Sequence, residues 1–197
     1  ALDIRNACSG FIYALSIADQ FIKTQTYKNI LVVTAEVQST AMNLTNTGRD
    51  TSVIFADGAA ATILSATESN QGILSTHLHS EGKYLKELWV EAPSSKANPK
   101  LSQKILDEEK HYLKMNGKEV FKHAVKRFPE VIIEGLKHNN LTVDDIDLLI
   151  PHQANVRISK MIQKKLNLSD HQVISNIHKY GNTTAAYIPI ALCETIN

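Results

Sequence analysis

Short apolar runs of strand length alternate along this chain with amphipathic stretches of helix length, and that alternation admits few architectures. Residues 1–7 read as a strand end and 8–23 as a helix, with Phe11, Leu15, Ala18 and Ile22 at helical spacing. A buried strand fits 30–35. Residues 52–64, interrupted by Asp57-Gly58, read either as two strand segments around a tight turn or as one strand with a bulge. Two further strands are expected over 73–79 and 87–92. The polar stretch 93–109, with two prolines, marks a surface excursion and the best internal boundary. A long helix is predicted over 118–138, with Phe121, Val125, Phe128, Ile132 and Leu136 on one face and a kink at Pro129. Thr142 then caps a short acidic turn, 146–150 is a buried strand, 154–166 a helix, 172–175 a strand, and Gly181-Asn182-Thr183 opens a last helix to about Thr195. The pattern predicts an α/β fold with helices packed on sheets.

Composition narrows the function classes. With 197 residues and 43% hydrophobic content the chain has enough apolar material for an ordinary core. A net charge of +1 provides no general pull toward nucleic acid or a membrane surface, so recognition must rest on local patches. No apolar run reaches the roughly 18 residues that cross a bilayer, and the start lacks a basic region followed by an apolar core. The two cysteines, Cys8 and Cys193, make no disulfide framework, so a reducing, cytoplasmic setting is expected. Cys193, within an apolar helix, reads as core packing.

Three polar residues stand where strands or loops give way to helices: Cys8, His152 and Asn182. Such junctions place side chains at sheet ends, where α/β proteins build their sites. A thiol at a helix N-terminus feels the positive end of the helix dipole, which favours the thiolate and makes Cys8 a candidate nucleophile; the alternative is a small buried hydrophobe. His77 and His79 alternate along a strand, but no nearby Cys, Asp or Glu completes a metal set, and no metal is assigned.

The segments DIRNACSGF (3–11), ADGAAA (56–61), STHLHS (75–80), MNGKEVFKHAV (115–125), PHQANVRI (151–158) and GNTTAAYIPIAL (181–192) closely resemble the β-ketoacyl-acyl carrier protein synthase III family. The resemblance implies a thiolase-like layered αβαβα sandwich, here lacking the front of the first half and the extreme C-terminus. Residues 1–70 would be the end of the first half, carrying the nucleophile, and 71–197 most of the second. It implies a homodimer, a Cys8-His152-Asn182 site, and no cofactor, since acyl-CoA and malonyl-acyl carrier protein are substrates. In that scheme Cys8 takes the acyl group from acyl-CoA. His152 and Asn182 then donate hydrogen bonds to the malonyl thioester oxygen, and the Cys8 N–H serves the acyl carbonyl. By the same pattern Phe55 lies near the acyl channel, Gly117 and Asn155 near the pantetheine arm, and Arg49 at the nucleotide end of CoA. For Phe55 and Arg49 a core ring and a surface charge are equally open.

Arg157, Lys160 and Lys164 share one helix face, and Lys122 and Lys126 form a similar pair. Such stripes are often solvated faces, but acyl carrier proteins are acidic, and the resemblance implies that Arg157, Lys164 and Lys122 dock the carrier. The chain departs from the family in its start, its end, Ala56 and Ala60 in place of glycines, and Tyr187 in place of a small residue. A tyrosine hydroxyl beside the acyl channel would favour a short or polar primer. The expected activity is the condensation that starts fatty acid synthesis. Alternatives are a polyketide- or quinolone-type condensing enzyme, a non-catalytic dimerising subunit, and thiol hydrolase chemistry at Cys8.

Overall fold

A computed structural model describes residues 1–196. Helix α1 (Gly10–Lys23) follows a 3-10 turn, Ala7–Ser9, and turns Phe11 and Ala18 inward; it ends where Thr24 folds its hydroxyl back onto the Gln20 carbonyl. Strand β1 (Asn29–Glu36) comes next, then the short helix α2 (Arg49–Ser52) and β2 (Gly58–Ser65). The two strands pair antiparallel without a break, from Asn29 opposite Ser65 to Glu36 opposite Gly58. Of the two readings for 52–64, neither survives intact: β2 is one regular strand that begins at Gly58. Asp57 does not turn a hairpin. Its carboxylate accepts from the Gln38 and Ser39 N–H groups at 2.6 and 2.8 Å, and from the Ser39 hydroxyl at 2.6 Å.

Strand β1 was expected to be buried, but only one face is. Val32 and Thr34 point inward, whereas Leu31 and Val33 remain 62% and 61% exposed. The inner face packs with Phe11, Ala18, Leu15, Leu64 and Ile188 into one core.

Strands β3 (Leu88–Val90) and β4 (Leu113–Met115) form a second antiparallel pair, with α3 (Gln103–Asp107) between them in the excursion. Helix α4 (Gly117–His138) runs through Pro129, and α5 (Val156–Leu166) packs against it. Asn155 caps α5 by accepting from the Arg157 N–H at 2.9 Å, and Asn167, at φ 53°, ends it in the left-handed region. Ile158, Ile162 and Leu166 from α5 form a second core with Phe121, Phe128 and Ile132 of α4. Each such side chain contributes roughly 1.5–3 kcal/mol of burial.

Helices α6 (Ile177–Tyr180) and α7 (Tyr187–Ile196) close the described chain. The strands expected at 1–7, 73–79, 146–150 and 172–175 are not ladders here. All that remains of the last two is a parallel bridge of Leu149 with Val173. Apolar runs mark an extended, covered segment, but a ladder also needs a neighbour of matching register. The 73–79 segment is held instead by side chains, including a 3.0 Å hydroxyl bond from Thr76 to Ser16. Cys193, expected in the core, is exposed, because α7 turns Tyr187, Pro189 and Ala191 inward.

Candidate active site

The segment 182–187 is the hub of the site. Its start is stitched to 54–56: the Asn182 N–H donates to the Ile54 carbonyl at 3.0 Å, and the Ala56 N–H to the Asn182 carbonyl at 2.9 Å. Gly181 permits this, with φ at 66° and little room for a side chain: an added Cβ would stand 3.2 Å from the Ala56 Cβ. Gly58 has a matching role, because a Cβ there would come within 2.8 Å of the Thr183 methyl. The 3-10 turn Thr184–Ala186 then packs against the 3-10 turn Ala7–Ser9 that carries Cys8. Tyr187, the next residue, meets the His152 ring with centroids 6.2 Å apart and planes at 89°. Cys8, His152 and Asn182, far apart in sequence, are thus gathered by one short segment.

Asn182 is 2% exposed, and its Oδ1 accepts from the Thr184 N–H at 2.9 Å. That bond fixes the amide and leaves its NH2 as the group that can donate to a ligand. Ala7 and Thr184, at φ 43° and 48°, both sit in the left-handed region on either side of this contact. Two non-glycine residues in that conformation store strain where side chains must be aimed.

The Cys8 thiol is not the thiolate that its helix-end position predicts. Burial, the nearby Glu36 carboxylate and, in the opposite sense, its own backbone N–H together push its pKa to about 11. Desolvation disfavours the charged form more than the dipole of a short helix end favours it. His152 moves the other way. Both its ring nitrogens are sealed from solvent without a hydrogen-bond partner, and burial lowers its pKa to about 4. It is a neutral imidazole with one N–H to give and one lone pair to receive.

Phe55 is half-buried and lies in the bridge with Asn182, so it joins this cluster. Arg49 opens α2, Gly117 opens α4 and Asn155 caps α5; all three are exposed. No hydrogen bond among the described residues links those three to Cys8, His152 or Asn182. Arg157, Lys160 and Lys164 are exposed along α5, and Lys122 reaches Glu119 at 3.3 Å. The Tyr187 hydroxyl, expected beside the acyl channel, accepts from the Asn176 N–H at 3.0 Å.

Sequence reasoning missed three participants. Gln153, fully buried, donates to the Ile174 carbonyl at 2.8 Å and accepts from the Ser175 hydroxyl at 2.8 Å, which anchors the loop that carries His152. Its place beside His152 in PHQAN was the available signal. Glu36 reaches Cys8 only through the fold. Glu134 of α4 receives hydrogen bonds from both His77 and His79, at 2.9 and 2.8 Å, a partner 55 residues or more away in sequence. Among the described residues no group of three or more His, Cys, Asp or Glu is arranged to hold a metal ion, and no helix is long and apolar enough to cross a membrane.

Residues 2–82 match the family model for 3-oxoacyl-[acyl-carrier-protein] synthase III, and 136–197 match the model for its C-terminal part. The chain is 44% identical, over 98% of its length and 57% of the relative's, to a protein of Caldanaerobacter subterraneus subsp. tengcongensis called beta-ketoacyl-[acyl-carrier-protein] synthase III. A protein of the same name from Rhodospirillum centenum is 43% identical over 100% of this chain and 58% of its own. The crystal structure of 3-oxoacyl-[acyl-carrier-protein] synthase III from Aquifex aeolicus VF5 superposes with a TM-score of 0.87 at 42% identity, covering 100% of this chain and 57% of that one. The chain therefore spans somewhat under three-fifths of the length of these relatives. The fold is the thiolase-like α/β fold of those enzymes.

Proposed function

The chain belongs to the 3-oxoacyl-[acyl-carrier-protein] synthase III family, and from that premise we propose that it carries the site of a condensing acyltransferase. The reaction is acyl transfer from a short acyl-CoA to Cys8, followed by decarboxylative condensation with malonyl-acyl carrier protein, opening fatty acid biosynthesis. The observation that carries this reading is the gathering of Cys8, His152 and Asn182 around 182–187.

In the first half-reaction the Cys8 sulfur attacks the acyl-CoA carbonyl. A carbon–sulfur bond forms, the bond to CoA sulfur breaks, and the thiol proton ends on CoA. A thiol whose pKa stands at about 11 needs a base as it attacks, and the neutral His152 can take the proton in passing. In the second half-reaction the malonyl carbon–carbon bond breaks and carbon dioxide leaves. The resulting enolate oxygen accepts from the His152 N–H and the Asn182 amide. The enolate carbon then bonds to the acyl carbonyl carbon, and Cys8 leaves as thiolate and recovers a proton. A neutral imidazole suits both halves, because it has a lone pair to take a proton in the first and an N–H to donate in the second.

Phe55 borders the acyl channel, Arg49 meets the nucleotide end of CoA, Gly117 and Asn155 flank the pantetheine arm, and Arg157, Lys164 and Lys122 receive the carrier. Residues 1–70 and 71–197 are the two thiolase-like portions. The enzyme is a cytoplasmic homodimer that uses acyl-CoA and malonyl carrier as substrates and needs no cofactor. Intact-mass measurement of the full-length gene product after incubation with acetyl-CoA tests the nucleophile. The wild type gains one acetyl group and Cys8→Ala gains none; an unshifted wild-type mass sinks the assignment.

A further inference from the structure

His152 has no hydrogen bond to set its ring plane, since both nitrogens are sealed and unpartnered. An imidazole held through one nitrogen has its orientation fixed by that bond. Here the ring must be held by shape. The aromatic ring that meets it is Tyr187, edge to face at 6.2 Å, the arrangement that aromatic quadrupoles favour. Tyr187 is itself immobilised at both ends. Its backbone begins α7, its side chain is 0% exposed, and its hydroxyl accepts from the Asn176 N–H at 3.0 Å. Asn176 is braced in turn, donating from Nδ2 to Glu194 at 2.8 Å, and Glu194 also receives the Tyr180 hydroxyl at 2.6 Å and the Lys179 ammonium at 3.2 Å.

We propose that Tyr187 is the positioning residue for His152: its pinned ring holds the imidazole edge-on and keeps water from it, so that one N–H stays aimed at the substrate oxygen. The inference rests on the condensing-enzyme reading of His152 and deepens it. A ring this rigid suits the task, because a phenol fixed at its far end cannot swing away as a flexible apolar side chain would. Burial pushes the Tyr187 phenol to about 12, so it remains neutral beside the imidazole. The charged groups of this region, Glu194 and Lys179, are engaged with one another and with Tyr180 and Asn176, at the α6 end of the chain of contacts. Glu36 of β1 stands beside Cys8, and His178 on α6 and Cys193 on α7 complete the titratable groups of the flanking elements; Cys8 and Tyr187 are neutral at pH 7.

The test uses the full-length gene product and malonyl-acyl carrier protein, with Tyr187→Phe, Tyr187→Ser and Tyr187→Met. The final extent of Cys8 acetylation by intact mass, after long incubation, reports that the fold and the thiol are intact, while the rate of loading is expected to fall with kcat because His152 also takes the Cys8 proton. Tyr187→Phe retains the ring and keeps kcat for decarboxylation within about threefold, whereas Tyr187→Ser lowers kcat by roughly tenfold or more with KM nearly unchanged. Water reaching the imidazole also gives Tyr187→Ser an acid limb near about pH 6 that the wild type lacks. Wild-type kcat and pH profile in Tyr187→Ser would overturn the inference. Should that variant fail to fold, Tyr187→Met, which fills the space without a ring, decides: the same kcat loss supports the role and a wild-type kcat refutes it. A wild-type enzyme that loads Cys8 but does not decarboxylate malonyl carrier overturns the reading beneath, and this inference with it.

Discussion

Cys8 and His152 are both neutral at pH 7 because both are taken out of water, and the two shifts have opposite signs, about 11 for the thiol and about 4 for the imidazole. For His152 the linkage runs as follows. An unfolded histidine binds its proton near 6.5, the folded one only near 4, so between those values the unfolded chain holds more protons. Stability is therefore highest above about 6.5 and is lost as the pH falls toward 4, by up to about 3 kcal/mol. Urea unfolding of wild type and His152→Gln at pH 7 and at about pH 4.5 should show the wild type losing about 2 kcal/mol more than the variant. Equal losses would place the proton elsewhere. Gln153 beside it shows how a buried amide can be fully useful without touching substrate: it ties the loop of His152 to 174–175 through two hydrogen bonds.

Among the elements, α5 shows most clearly how one helix serves two purposes. Ile158, Ile162 and Leu166 recur at helical spacing and dock on α4, while Arg157, Lys160 and Lys164 occupy the solvent side of the same turns. The capping Asn155 sets where the helix starts, and hence that Arg157 stands in its first turn. A positive stripe of this kind acts through steering more than through tight contact, so its effect should shrink as salt screens it. Reversing the charge with Arg157→Glu should raise the apparent KM for malonyl carrier by about tenfold at low salt, and by much less at roughly 0.5 M, in steady-state kinetics. An unchanged, salt-independent KM would return the stripe to an ordinary solvated face. Lys122, already 3.3 Å from Glu119, should matter less than Arg157.

The molecule as a whole presents an apolar sheet face to solvent. Leu31, Val33 and Ile63, on one side of the β1–β2 pair, are 62%, 61% and 72% exposed, and a cleft of about 580 Å3 runs between β1, α1 and residues 1–4. Contiguous apolar surface on a two-stranded sheet drives association. The 197-residue chain alone should therefore elute as a dimer or larger at concentrations on the order of ten micromolar, and Leu31→Lys with Ile63→Glu, directly opposed across the pair, should shift it toward monomer. A chain that stays monomeric and binds no hydrophobic dye would contradict this.

The amino-acid order by itself determined much of the local structure: the periodicity of α1, α4 and α5, the caps at Asn155 and Thr142, and the junctions at which Cys8, His152 and Asn182 stand. These depend on neighbours within a few residues, which the sequence displays directly. Only the tertiary structure decided that 73–79 and 146–150 lack ladders, that Asp57 is an anchor, that Glu36 lies near Cys8 and that the Tyr187 ring meets His152. Each of these depends on which distant surface covers a residue, and burial, which removes the charge expected at Cys8, is a property of that covering and not of the residue's own segment.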